Sequence, residues 1–346
     1  MAARMHRIAS LALGLSMGLV GLVGCGRVGA DSVSLAAEGS SDASSSGAGG
    51  IIENSVSIFD LMRDAPFMVP YTGVRRVTMN HIGSLPLDYR EEVAGDGLGS
   101  FAIEPIEILS AHPNAAELLI RKGLQQTFDY RNRDFRVLVP SLFQQNYNYT
   151  LDPNPSQVLG RDCFSLTVQR PAPYVGGSYA VQMDVETKLV LDWREYDASG
   201  NEISHVAFES LELQSPDFNG FNMVSGFMTE TELDIQSNLA VTAGFAVLTP
   251  SLPPTGFELY GASLLESTST PGDPWVRLLY TDGLERVWIL HRAPAMSSGG
   301  TFAAPVVHVY PTEAWTVAVG KIGGYEVMAA GRVPKKQILQ MLESCF

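Results

Sequence analysis

Cysteine, paired histidine and runs of basic charge are what this 346-residue chain has least of, and each shortage excludes something. The three cysteines, Cys25, Cys163 and Cys345, stand far apart and away from any histidine at ligand spacing, so there is no zinc ribbon or dense disulfide framework. The six histidines (His6, His81, His112, His205, His291, His308) make no HxxH or HExxH pair. A GxSxG elbow and a GxxxxGK[ST] loop are also missing, which removes the local motifs of zinc peptidases, α/β-hydrolases and P-loop enzymes. With 23 Lys and Arg against 37 Asp and Glu, the net charge is −14. A chain this acidic, with no basic cluster, is a poor partner for nucleic acid or an anionic surface. Beyond the N-terminus no apolar run is long enough to span a bilayer.

What is present begins at that N-terminus. Arg4, His6 and Arg7 precede a run from Ile8 to Val23 that is apolar or small throughout. A basic start and a short apolar segment form a secretory signal peptide. Leu22-Val23-Gly24-Cys25 then matches the bacterial lipobox, which makes Cys25 the expected lipidated N-terminus of the mature chain. One acyl chain anchors only marginally, but a lipoprotein cysteine carries several, so attachment to a membrane is expected. Gly26, where an inner-membrane lipoprotein would carry Asp, directs the expectation to the outer membrane, facing the periplasm. Residues 37–50, AEGSSDASSSGAGG, have almost nothing to bury. The stretch from Cys25 to Gly50 reads as a flexible tether reaching about 25–30 Å. Loss of residues 1–24 removes Arg4 and Arg7 and no acid, leaving 21 basic residues against 37 acidic ones.

From Tyr71 to Gln214 the pattern is mainly strand. Val77 and Met79 alternate with Arg76, Thr78 and Asn80; Phe164, Leu166 and Val168 with Cys163, Ser165 and Thr167; Val181, Met183 and Val185 with Gln182, Asp184 and Glu186. Period-two alternation marks antiparallel strands with one buried face. Asp96-Gly97 and Asp197-Ala198-Ser199-Gly200 read as hairpin turns. Asn114 with Glu117, followed by Ala116, Ile120, Leu124 and Phe128 at four-residue intervals, predicts a helix over 114–130 packed in the hollow of the sheet. Residues 223–250 read as a linker. Pro253-Pro254 and Gly256 open a second domain, 251–346, in which WVRLLY-TDG-LERVWIL forms a hairpin burying Val276, Leu278 and Tyr280. VPKKQILQMLESCF closes it as an amphipathic helix with Pro334 in its first turn and Ile338, Leu339 and Leu342 on one side.

Few residues suggest chemistry. Gly95-Asp96-Gly97-Leu98-Gly99 is glycine-rich but sits between strands, which favours a hairpin end over a phosphate loop. Glu104, Glu107 and Glu117 are acids near the expected helix without the spacing of a catalytic pair. Asn148-Tyr149-Thr150 is a sequon by pattern alone beside a bacterial lipobox. Trp193, Tyr196, Phe208, Trp275, Trp288 and Trp315 either line an apolar cavity or fill two cores, and core filling is the commoner use. Two readings stay open for Cys163 and Cys345: a disulfide locking the two domains together, or two separate thiols. Cys163 falls on the polar side of its strand's alternation.

The segment VLGRDCFSLTVQRP…YAVQMDVETKLVLDWREYDASGNEISHVAFESLEL resembles the LolA-type fold, in its "G-R…L.V..P" strand, its "D.ET.L.L" strand end, its "D..G" turn and its final "F..L.L" strand. LPPTGFELYGASLLE, WVRLLYTDGLERVWIL and WTVAVGKIGGYEVMAAGRVPKKQILQMLESC are similar to the small C-terminal domain of the RseB/MucB family, which LolA and LolB carriers lack. The resemblance covers about residues 55–346. It implies an α+β fold: a curved antiparallel half-barrel over 51–222 with helices in its mouth and a cavity for acyl chains, plus a small α+β domain. It also implies a non-catalytic envelope protein, without cofactor or metal, that binds a lipid or acylated ligand and an anti-sigma factor or other envelope protein in stress signalling. The alternative is a LolA/LolB-type carrier or receptor in outer-membrane delivery, and a third reading is a hydrolase with a scattered site. No ligand-binding residue follows from the resemblance.

Overall fold

In the computed structural model, residues 52–80, 86–110, 134–170, 177–221, 228–267, 272, 274–293, 306–312 and 315–345 are described. Cys25, the tether and the helix expected over 114–130 lie outside these residues.

The chain enters through α1 (Ile52–Met68), whose Phe59, Met62 and Ala65 recur at three-residue spacing and are all buried. It then lays down β1 (Pro70–Met79), β2 (Leu87–Asp96) and β3 (Phe101–Ile108) as a meander. The β2–β3 turn is the hairpin read from the glycines. Asp96 Oδ1 accepts the amides of Leu98 and Ser100, and Gly97 and Gly99 take φ of 72° and 100°. After α2 (Pro140–Asn146), with Pro at its first position, a second meander follows: β4 (Asn148–Val158), β5 (Arg161–Gln169), β6 (Ser178–Asp184), β7 (Val190–Tyr196) and β8 (Glu202–Glu212). Antiparallel pairing of β1 with β8 joins the two meanders into one open eight-stranded sheet, β3-β2-β1-β8-β7-β6-β5-β4.

One face of this sheet carries the expected apolar set. Val77, Leu87, Tyr89, Leu166, Val168, Tyr179, Val181, Met183, Trp193 and Val206 are buried in one cluster. Register shifts at Val74/Arg75, Arg90/Glu91 and Gln182/Met183 mark bulges, which bend strands and deepen curvature. The hollow is filled by α1 and α2: Phe59 meets Phe143 and Tyr149 edge-on at ring centroid distances of 4.9 and 5.0 Å. This is the antiparallel α+β half-barrel with helices in its mouth.

The second domain is a seven-stranded antiparallel sheet, β13-β14-β15-β12-β11-β10-β9. Its strands are β9 (Met228–Leu233), β10 (Glu258–Ser267), β11 (Trp275–Thr281), β12 (Arg286–Arg292), β13 (Val306–Thr312), β14 (Trp315–Ile322) and β15 (Tyr325–Gly331). β9 and the short helix α3 (Leu239–Ala243) come from residues that read as a linker; β9 pairs with β10 and its Leu233 is buried. The terminal α4 (Lys335–Glu343) packs Ile338, Met341 and Leu342 against Val276, Leu278, Tyr280, Val287 and Ile289. Met341 takes the place expected for Leu339, which is half-buried. Among the described residues no helix is long and apolar enough to cross a membrane.

Both described cysteines are free. Cys163, expected on the polar side, is fully buried beside Leu189 and Leu191, and Cys345 lies in the second domain's core. The bridge that would have locked the domains is not formed. Burial pushes both thiols up, Cys345 to about 11, so neither is a ready nucleophile.

Candidate functional site: the junction between the domains

The β11–β12 loop, Thr281-Asp282-Gly283-Leu284-Glu285, leaves the second domain and seats in the mouth of the first. Its own residues shape it. Asp282 Oδ1 accepts the amides of Leu284 (3.2 Å) and Glu285 (2.8 Å), and Thr281 Oγ1 accepts the Gly283 amide (3.0 Å) and donates to the Glu285 carbonyl (2.8 Å). Gly283 takes φ of +105°, and a Cβ there would stand 2.2 Å from the Phe143 nitrogen, so backbone meets backbone with no room for a side chain. The Gly283 carbonyl accepts the Leu138 and Val139 amides at 2.7 and 3.3 Å. These serve the start of α2, whose N-cap Val139 offers no side-chain cap. Leu284 completes the apolar cluster of the first domain.

Around this plug stands a buried polar network. Asp282 Oδ2 accepts from Tyr147 Oη at 2.9 Å and from Arg170 Nη2 at 2.5 Å. Arg170 also lies over the rings of Tyr147, in the first domain, and Phe257, in the second. Asn146 Nδ2 donates to the carbonyls of Gly256 and Asp282, both at 3.0 Å. The Tyr179 hydroxyl donates to Glu285, and Arg332 Nη1 donates to Glu195 Oε2 at 2.5 Å. Burial outweighs the donors around Asp282 and pushes its carboxyl up to about 6. Glu195 is raised, first by burial, against the pull of Arg332 and with the neighbouring Glu285 adding to the rise. Tyr147 and Tyr179 are raised by burial and by these same acids. Chemically the arrangement fastens two domains: buried charges paired across the junction are costly to separate because each half would be left unpaired.

Elsewhere, a second set of buried charge lies on the same concave face. Arg75 pairs with Glu91 at 2.5 Å and with Asp134 at 2.9 Å. On the outer face of the sheet Ala180, Gln182, Asp192, Arg194 and Tyr196 line a shallow hollow of about 250 Å³, and His205 bonds Asp192 at 3.1 Å. Among the described residues no three His, Cys, Asp or Glu side chains converge as a metal site.

No family model matches the chain, and no curated protein matches it. Solved structures do. The chain is similar to MucB in complex with MucA(peri), at 17% identity and a TM-score of 0.46, over 83% of this chain and 97% of that one. The Pseudomonas aeruginosa MucA/MucB complex gives 17% identity and 0.46 over 84% and 97%. A LolA superfamily protein from Nitrosomonas europaea gives 10% identity and 0.20, over 48% of this chain and 96% of that one.

Of the residues singled out in the sequence, Trp193, Phe208, Trp275 and Trp288 are buried in cores, and Tyr196 faces outward over the hollow. Glu107 lies on the β3 edge, paired with Arg90 at 2.6 Å. Cys25, His81, His112 and Glu117 lie outside the described residues. The junction residues were not anticipated. TDG read only as a turn, although Glu195 stands at the position of its strand where Leu191 and Trp193 predict a buried apolar residue.

Proposed function

We propose that the protein is a non-catalytic binding protein of the cell envelope that grips a protein partner across both domains, as an RseB-like regulator does with an anti-sigma factor. The observation that carries this reading is the junction: the Thr281–Glu285 loop, seated by backbone and buried charge, joins the two sheets, and a partner could span both. The partner reading is also supported by the sequence resemblance to both RseB domains, and a structure similar to this chain is described as MucB with MucA(peri). An acyl chain is the weaker candidate for the described part of the hollow, because Phe59, Phe143, Tyr149 and Leu284 occupy it and Arg75–Glu91 interrupts its apolar lining. The protein is anchored through Cys25 and faces the periplasm.

The test is calorimetric titration of the unlipidated chain, residues 26–346, with the periplasmic segment of an anti-sigma factor encoded beside its gene. Binding that weakens when the junction is opened by Gly283→Val supports the reading. No binding, or binding unchanged by that variant, overturns it. Fatty acid added in a parallel titration distinguishes the carrier alternative. Acyl labelling and membrane fractionation of Cys25→Ser test the anchor, and unchanged labelling would sink it.

A further inference from the structure

We propose that β9 (Met228–Leu233) is an acceptor strand: an extended peptide segment with Lys or Arg at alternate positions adds to its outer edge and lengthens the second sheet. The inference concerns a surface of the second domain and does not rest on the identity of the partner discussed above.

An open sheet has two edge strands, and each presents unpaired backbone N–H and C=O groups to any other extended chain. The two sheets of this protein have four such strands, β3, β4, β9 and β13. Three of them are interrupted. β3 carries Pro105, β4 carries Pro153 and Pro155 with a break in register between Asp152 and Ser156, and β13 carries Pro311. Proline has no N–H to offer, so it blunts an edge. β9, MTETEL, contains neither proline nor glycine, and its six residues pair with β10 from Ser267 to Ala262 without a shift. Among the described residues nothing pairs with its other side. Leu233, buried in the core of the second domain, holds the strand in place. Its outer edge is therefore a formed template about 20 Å long.

Charge selects the occupant. Glu230 and Glu232 alternate within the strand, and Asp234 follows at the same spacing. Glu232 and Asp234 are exposed, and among the described residues neither meets a basic side chain; the Asp234 carboxylate accepts only the Gln236 amide. At the β3 edge, by contrast, Glu107 is already paired with Arg90 at 2.6 Å. A second copy of this chain would set acids beside acids across the new seam, which destabilises an antiparallel pair. A segment with Lys or Arg at every second position meets those acids instead. Its main chain completes the ladder while its side chains supply the selectivity.

The test uses the unlipidated chain, residues 26–346, and the synthetic peptide acetyl-Lys-Thr-Lys-Val-Lys-Thr-amide. Backbone NMR should show shifts and slowed amide exchange concentrated in Thr229–Leu233, and binding should weaken as salt is raised. Only alternate N–H groups of an added strand face its neighbour. Of two peptide series, N-methylated at the lysines or at the intervening residues, one should therefore lose binding. Glu232→Lys, on an exposed side chain, should weaken binding about three- to tenfold. The same peptide with Glu in place of Lys should not bind. Absence of binding, shifts mapped elsewhere, or binding that survives both N-methyl series overturns the proposal. Equal binding of the acidic peptide, or of the basic peptide to Glu232→Lys, also overturns it. So does slowed exchange of the β9 amides without peptide that grows with protein concentration, which would make a second copy the occupant.

Discussion

The two domains keep their cores in different ways. The second buries an almost wholly apolar layer between its sheet and α4: Val276, Leu278, Val287, Ile289, Val327, Ile338, Met341 and Leu342. The first sheet carries charge on its inner face, Arg75 with Glu91 and Glu195 with Arg332, and takes Leu284 from its neighbour to complete its packing. A layer closed by its own helix is a self-sufficient unit, since area removed from water stabilises wherever the covering comes from. A hollow closed by another domain's loop couples the stability of one half to the presence of the other.

The strongest way to break this contrast is Arg170→Met, which strands Asp282, a carboxylate with no exposed surface, without its guanidinium. Separating a buried pair in this way costs about 3–5 kcal/mol, and urea unfolding followed by two probes should change from one transition to two. Leu284→Ala should cost about 3 kcal/mol and lower the first domain's transition, although the residue belongs to the second domain's chain. Ile338→Ala, of similar size, should lower the second domain's own transition instead. Equal effects of the two on both transitions would erase the distinction.

Acidity gives a comparable effect in the opposite sense. The Asp282 carboxyl is raised from 3.8 to about 6, so its ionised form penalises the folded state. That penalty is present above about pH 6 and disappears as the pH falls towards 3.8, adding up to about 3 kcal/mol of stability. Asp184, Asp88 and Asp64, held below their ordinary range chiefly by arginine and backbone donors against the opposing cost of burial, lose their contribution only under more acidic conditions. Stability measured by urea should therefore be greater at about pH 5 than at about pH 7, and Asp282→Asn should shrink the difference. The smallest change should come from the outer face. Arg76 pairs with Asp88 at 2.5 Å, but half its side chain is exposed, and Arg76→Ala should shift stability by no more than about 0.5 kcal/mol.

Strand alternation made the architecture legible. Val77, Leu166, Val181 and Met183 lie on the face their spacing predicts, and the turns at Asp96-Gly97 and Asp197–Gly200 are hairpins. Asp197 Oδ1 accepts the amides of Ser199 and Asn201, as a short acidic turn residue does. α1 was missed although Phe59, Met62 and Ala65 have helical spacing, because Pro66 near its end and the polar stretch before it obscured the period. β9 was missed because MTETEL carries threonines and glutamates and is ordered by pairing with β10. The junction was the least legible part. A charged residue at a buried strand position, such as Arg75, Glu91 or Glu195, announces a buried partner but not which one, since the partner of Glu195 stands far along the chain at Arg332. Cys163 misled for a related reason: register put it on the outer side, but the bulge at Gln182/Met183 and the turn to Leu189 bury that end of the strand.

The seating of Gly283 on Leu138 and Val139 also bears on how the chain is made. A polypeptide emerges from its N-terminus, so the amides that open α2 appear long before the carbonyl that receives them. Until Thr281–Glu285 follows, the first half has its strands and helices but lacks Leu284 in its mouth, and Arg170 and Tyr147 face no acid from Asp282. A product truncated before this loop would lack the Gly283 carbonyl and Leu284 that complete the first half. The loop thus acts as a proof of completeness: only a chain synthesised through its second domain can close its first.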